Sequence, residues 1–319
     1  MEHSNSGRLR IAISGASGLI GTALRRFLSG RGHRIEFLVR RASAVAGETR
    51  WDPAAGTIDA EALEGVDAVV HLSGASLAEG RWTEAKKKEF FDSRVGSTRL
   101  LSRTLAGLEK KPAALVVASA IGFYGNRGDE TLTESSPKGA GFLPDLCEQW
   151  EAAGAPASDA GIRLVHPRIG LVLSSHGGAL PKMLTPFKLG LGGVVGSGRQ
   201  YMSWIAIADL LRVIEACLHD DSLNGPVNAT APNPVTNQQF VKMLGHLLGR
   251  PTFVPVPVFT IDLMLGEMGR TLLLEGAKVI PAKLKEHQFA FACPTLESAL
   301  RSALEHDDQP AKSQSDSSS

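Results

Sequence analysis

The chain has 319 residues, 43% of them apolar and 21% charged, with a net charge of +1. That length suits one large α/β domain or two closely packed ones, and the near-neutral charge excludes a global basic field for nucleic acid or anionic membrane. The opening MEHSNSGRLR has no apolar h-region, no apolar run nears the ~20 residues that span a bilayer, and Cys147, Cys217 and Cys293 lie too far apart for a CxxC site or a disulfide framework. The expectation is a cytoplasmic protein with free thiols and no membrane partner.

The first predicted strand is RIAIS, residues 10–14. It runs into ISGASGLIG, which places Gly15, Gly18 and Gly21 at the opening of a helix over Leu19–Leu28 that Gly30 and Gly32 stop. A glycine triplet alone is weak; between a strand and a helix it is a dinucleotide fingerprint. Gly15 permits the turn, Gly18 lets backbone approach a pyrophosphate, and Gly21 lets the helix pack closely. The first-turn N–H groups, around Leu19 and Ile20, and the Ser17 hydroxyl would meet the phosphates. The second strand, IEFLV (35–39), ends FLVRR. An NAD site usually ends this strand with an acid for the ribose. Here Glu36 is at its beginning, and Arg40 and Arg41 stand at its end, where a guanidinium can grip a 2′-phosphate. The expected cofactor is NADP(H), with Arg40 nearer the strand.

Further strands are expected at DAVVHL (67–72), ALVVAS (114–119) and IRLVH (162–166), separated by helical patterns near 83–106 and 143–155. Strands apolar on both faces, alternating with helices, predict an α/β fold: a Rossmann-type, doubly wound parallel sheet. After about Leu173 the chain turns rich in Gly and Pro, and Thr236 with Gln239 predicts a capped helix ending at Gly249. The organisation expected is a Rossmann domain over 8–175, a smaller substrate lobe over 176–304, and a disordered tail over 305–319.

GASGLIG, DAVVHLSGA, SAIGFYG, HPRIGLVL and SWIAIADL resemble the extended short-chain dehydrogenases/reductases. RWTEAKKKEFFDSR, WEAAG, PFKLGLGGVVGSG, GPVNATAPNPVTN and LLLEGAKVIP look like an atypical, epimerase-like subgroup typified by bacterial YfcH. That subgroup has a characteristic C-terminal region, here about 250–300, and some members carry a cell-division-inhibitor label. The resemblance implies a Rossmann fold, NADP(H) binding, and a loop HLSGA in which Leu72, Ser73 and Gly74 approach the cofactor by backbone. Glu89 also matches a subgroup position near the cofactor.

Ordinary members of the larger family transfer hydride with a Tyr-x-x-x-Lys pair and a serine. The two tyrosines, Tyr124 and Tyr201, are followed four residues later by Gly128 and Ile205, so no such pair exists. Anchored on Glu151, the tyrosine position holds Leu143 and the lysine position Cys147. The serine position holds Ala120, with Ser119 one residue early. Where the family has the asparagine of NVxGT, this chain has Arg94. At 100° per residue Phe90, Arg94, Ser97 and Leu101 share a helix face, so Arg94 interrupts an apolar stripe and needs a partner: a cofactor phosphate, which would make it a cofactor-binding residue, a substrate carboxylate or a buried acid. The catalytic candidates are Arg94, Tyr124 and Ser119; Lys188, Gln200, Tyr201 and Trp204 in the Gly-rich stretch, with Leu143, are pocket candidates. His71 reads as strand packing, and no histidine set has ligand spacing, so no metal site is expected.

Two functional readings stand. One is an NADP(H)-dependent oxidoreductase or epimerase on a small molecule, with altered acid/base residues. The other is a catalytically silent NADP-binding redox sensor or partner-binding protein. Nucleic-acid binding is not expected, and a homodimer is compatible with either reading.

Overall fold

The computed structural model describes residues 7–41 and 45–305. Its centre is a sheet built from β1 (Arg10–Ser14), β2 (Arg34–Val39), β3 (Glu48–Asp52), β4 (Thr57–Ile58), β5 (Ala68–His71), β6 (Ala114–Val117), β7 (Ser119–Ala120) and the strands Arg163–Ile169 and Gly225–Ala229. Their order is Gly225–Ala229, Arg163–Ile169, β6, β5, β1, β2, β3, β4, with β7 alongside Arg163–Ile169. Every pair is parallel except β3 with β4. The chain turns from one side of β1 to the other between β2 and β5, so the switch point lies at the carboxyl ends of β1 and β5.

The strands read as continuous apolar runs because both faces are covered. Ala12, Val69, Leu115 and Val117 point into one core layer with Phe90, Leu101 and Trp150. Ile11, Ile13, Val70 and Val116 point into the other with Leu24, Leu210 and Ile214. The two-residue alternation of a strand divides neighbouring side chains between the layers.

The helices are α1 (Leu19–Gly30), α2 (Glu84–Phe91), α3 (Ser97–Ala106), α4 (Phe142–Ala152), α5 (Ala155–Asp159), α6 (Ala179–Lys188), α7 (Ile207–His219), α8 (Asn237–Leu248) and α9 (Val258–Leu265), followed by shorter turns and a last helix, Leu296–Glu305. Between α2 and α3 the residues Asp92–Gly96 form a π-turn. The capping box of Thr236 and Gln239 opens α8, and Gly249, at φ +61°, closes it. Glu305 belongs to the last helix; the rest of the expected tail lies outside the described residues.

Beyond the sheet, Leu171–Leu173 pairs with Trp204–Ala206, and α6, α8 and the last helix enclose a third apolar cluster. The C-terminal region is stitched back by Lys278–Val279, which pairs with Thr131–Leu132, and by a bridge between Val195 and Val256.

Candidate functional site

A cleft of about 350 Å³ opens at the switch point. Gly15, Gly18, Leu19, Ile20 and Gly21 line it with Leu72, Ala118, Gly170, Val172, Gly178 and Ala179. Gly15 sits at φ +70°, and a Cβ there would come 2.8 Å from the Leu72 carbonyl carbon. A Cβ on Gly21 would collide with the Gly15 carbonyl oxygen. These two glycines are demanded by the protein's own packing. Gly18 differs: a Cβ there would make only ordinary contact with Gly15. Its requirement comes from the cleft side, as a residue facing a pyrophosphate would have it. Gly18 caps α1, whose first turn holds no acid, so its N–H groups are open to an anion. Ser17 is exposed beside them. This open, glycine-walled helix start fits a dinucleotide's phosphates.

Sequence reasoning missed the opposite wall. Gly177 and Gly178 stand over Leu19, and α6 begins at Ala179, also facing the cleft. The SSHGGALP stretch carried the signal as a Gly pair before a helix, but nothing local said that it folds back across α1.

At the end of β2, Arg40 is exposed and has no ion-pair partner among the described residues. Arg41 is exposed and pairs with Glu48 on β3. The two arginines are therefore not equivalent: Arg41 is occupied by a neighbouring strand, and Arg40 is the available guanidinium.

Leu143 and Cys147 lie one turn apart on α4, and both approach Gly122. Burial pushes the Cys147 thiol up to about 12, so it is neither a nucleophile nor a proton carrier near neutral pH. Asp145 and Glu148, on the outer face, share Lys138 at 2.8 and 2.7 Å. Arg94 stands on the π-turn, 8% exposed. It donates to the Ala75 carbonyl at 2.9 Å and more weakly to Phe90, and its guanidinium lies 5.2 Å from the Trp150 ring. A Cβ on Gly74 would come 3.1 Å from its Cζ. No carboxylate pairs with it among the described residues. Of the five N–H groups of a guanidinium, the two hydrogen bonds leave three without a protein partner. Burial pushes it down to about 10, opposed by the Cys147 thiol, so it remains cationic at neutral pH.

Comparisons with known proteins bear on this arrangement. The model of the NAD dependent epimerase/dehydratase family matches residues 11–229, and a domain of unknown function, DUF1731, matches 256–303. The chain belongs to the NAD dependent epimerase/dehydratase family. It is similar to the epimerase family protein Mb2239 of Mycobacterium bovis, 42% identical over 91% of this chain and 96% of that one. It is also similar to the human epimerase family protein SDR39U1, 36% identical over 92% and 99%. A crystal structure of human SDR39U1 with NADPH matches with a TM-score of 0.85 over 93% of this chain and 99% of that chain. A structure of a nucleoside-diphosphate sugar epimerase from Corynebacterium glutamicum matches with a TM-score of 0.77 over 94% and 59%, at 34% identity. This family member is thus an NAD(P)-binding epimerase-type protein with the DUF1731 region at its C-terminal end.

Several candidates sit where they do structural work. Tyr124 is fully buried. Its hydroxyl donates to Asn228 at 2.6 Å and accepts from Arg168 at 3.0 Å, and burial raises its pKa, so it stays neutral as the anchor of a buried network. Ser119 is buried and donates to Glu151 at 2.7 Å. Arg168 grips Glu151 through two bonds of 2.8 Å and covers the Phe123 ring at 3.5 Å. This network explains the glutamate on α4 that outlived its catalytic pair. HPRIG carried the signal, since an arginine inside an apolar strand must have a buried partner.

Trp204 is no pocket residue: it is 0% exposed in the third cluster, because its strand turns it inward under Leu171–Leu173. Gln200 donates to Val195 and Leu273 and fastens the Gly-rich loop. Tyr201 is half-buried under the Lys278 ammonium, 5.4 Å from its ring. Lys188 ends α6 on the exposed side, and Leu143 packs half-buried against the first cluster. Glu89 is exposed and pairs with Lys86 at 2.8 Å, on a different side of the helix from the buried Phe90 and Arg94. His71 is wedged between Ser14 and Ser97, and burial pushes it down to about 3.

Among the described residues His33, Glu215 and His219 gather within 4.8 Å, a cluster that no sequence spacing foretold. The Leu9 N–H donates to His33 Nδ1, which leaves the ring proton on Nε2, and Glu215 already pairs with Arg31. Both facts weaken the set as ligands. No helix among the described residues is long and apolar enough to cross a membrane.

Proposed function

We propose that this chain is an NADP(H)-dependent oxidoreductase or epimerase acting on a small molecule, in which Arg94 takes over part of the work of the absent Tyr-x-x-x-Lys pair. One observation carries the reading: a buried guanidinium with no acid partner and three unused N–H groups, set between the Gly74 loop and Cys147, the position of the family's lysine. A buried cation kept without a carboxylate is costly unless something anionic or strongly dipolar meets it.

When bound, the nicotinamide supplies or accepts hydride. Gly15, Gly18, Leu19 and Ile20 would hold the dinucleotide's phosphates, with Arg40 at the adenosine 2′-phosphate and Leu72, Ser73 and Gly74 along its other side. Leu143 and Cys147 would fill the places where the family has a tyrosine and lysine. Arg94 would hold the substrate oxygen and favour its more negative form by preorganised N–H groups. With its pKa so far above neutral, it acts as a fixed charge, and the proton comes from solvent.

Cofactor preference and chemistry are tested together. NADPH should bind more tightly than NADH, and Arg40→Ala should weaken NADPH by ~1.5–3 kcal/mol while sparing NADH. Presented with a low-molecular-mass metabolite fraction, the protein should consume NADPH, and Arg94→Met should stop this without altering NADPH affinity. Equal affinity for the two cofactors removes the Arg40 assignment. Undiminished NADPH consumption by Arg94→Met removes the oxygen-binding role.

A further inference from the structure

Of the ten large hydrophobic side chains that the described residues expose, nine fall in 189–191 and 253–273. They include Leu189, Leu191, Phe253 (88% exposed), Phe259, Leu263 and Met264. The segments are distant in sequence but joined in space. The Val256 N–H donates to the Val194 carbonyl, Gly196 N–H donates to Val256, and a Cβ on Gly193 would collide with the Val254 carbonyl. They form one apolar surface, larger in its side chains than scattered single exposures, and such patches mark binding sites. Helix α9 is apolar on nearly every side, yet buries only Ile261.

Two elements link this surface to the candidate site. Helix α6 begins at Ala179 on the cofactor cleft and ends next to Leu189, a length of about 15 Å at the usual rise. On the other side Leu265, Met268 and Leu272 pack into the cluster that contains Phe90, Phe142 and Leu143, the helices of Arg94 and of the vacated tyrosine position. The Lys87–Glu267 pair at 2.8 Å and the Arg81 bonds to the Leu263 and Met264 carbonyls fasten α9 there. The stretches 189–198 and 251–265 contain a single charged residue, Asp262, and Arg270 pairs with it. They offer no cation for a diphosphate and few hydroxyls for a sugar.

We infer that this surface receives the apolar body of the substrate, so that the site takes a hydrophobic carbonyl or alcohol compound and not a nucleotide sugar. The inference rests on the proposed oxidoreductase reading for the reacting end at Arg94, and on the apolar surface alone for the body. Its occupant is a ligand and not a second copy because the segment that carries the surface packs, through Leu265, Met268 and Leu272, on the cluster of Phe90 and Leu143 beside the proposed reacting end.

The test is binding to the NADPH-loaded protein. 1-Anilinonaphthalene-8-sulfonate should fluoresce on it, and decanol should displace the dye where UDP-glucose does not. The double variant Phe259→Ser, Leu263→Ser, both exposed, should weaken decanol by about tenfold or more and leave NADPH affinity and melting temperature unchanged. Displacement by UDP-glucose but not by decanol overturns the inference. So does a dimer in sedimentation that buries the dye site and falls apart in the double variant, and so does phosphatidylcholine-vesicle binding that the variant abolishes while decanol fails to compete. A wild type that binds decanol but not NADPH would sink the oxidoreductase reading and leave the apolar site standing.

Discussion

Two buried arginines, Arg168 and Arg94, both meet side chains of α4 and show what burial asks of a charge. Arg168 is 3% exposed and paired with an acid: two bonds to Glu151, one to the Tyr124 hydroxyl, and an aromatic ring beneath it. Arg94 is nearly as buried but meets only carbonyls and the Trp150 ring. Both stand in apolar stripes of sequence. Structure separates them: the first is a closed ion pair, the second an open one. A closed pair belongs to stability, and an open one is spare capacity for a ligand.

Breaking the closed pair should have the largest effect. Arg168→Met strands the Glu151 carboxylate in the interior and should cost about 3–5 kcal/mol of folding stability, read in denaturant melts. If the loss is below about 1 kcal/mol, Arg168 and Arg94 are not different in kind. Tyr124→Phe belongs to the same network. It leaves Asn228 Oδ1 without its donor and should cost about 1–3 kcal/mol; a pH-dependent change in NADPH oxidation with stability intact would instead return Tyr124 to the catalytic candidates.

The His71 contact extends the closed side of the comparison to pH. Its ring is neutral in the fold down to about pH 3, whereas the unfolded chain takes up the proton near its ordinary value of 6.5. The unfolded state therefore binds more protons below that value, and stability falls as pH drops from 6.5 towards 3. This residue alone gives a slope of about 1.4 kcal/mol per pH unit. His71→Gln should flatten that part of the stability profile, whatever its cost at neutral pH. An unchanged slope would show that the ring is not held neutral.

Arg94→Met should have the smallest effect on folding. It orphans no carboxylate, so the melt without cofactor should shift by within about 1 kcal/mol, the size of one lost carbonyl bond set against the relief of a desolvated cation. A loss as large as that of Arg168→Met would mean that Arg94 is structural, and the comparison would collapse.

The fold was legible because its signals are local. A glycine triplet after RIAIS, apolar runs of strand length and helical stretches between them are fixed by neighbours in the chain. The absence of Tyr-x-x-x-Lys was also decidable by reading, since it is a matter of which residues exist. Fates such as that of Trp204 were not legible. Its stretch looks like a pocket lid, and only the pairing of Trp204–Ala206 with Leu171–Leu173 turns the indole into the core. Glu89 likewise matched a family position yet ended on an exposed face with Lys86.

What the sequence determined by itself is the Rossmann framework, the dinucleotide cradle and the lack of the usual proton-transfer pair, because backbone turns and residue identities are properties of short stretches. Only the tertiary structure decided which charges are closed and which are open, that Arg41 is taken by Glu48 and Arg40 is not, that α6 forms the far wall of the cleft, and that residues 189–191 and 253–273 make one apolar surface. The physical reason is that a charge's partner and a hydrophobic residue's cover come from segments tens to hundreds of residues away, and nothing in the local chain specifies which of them will arrive.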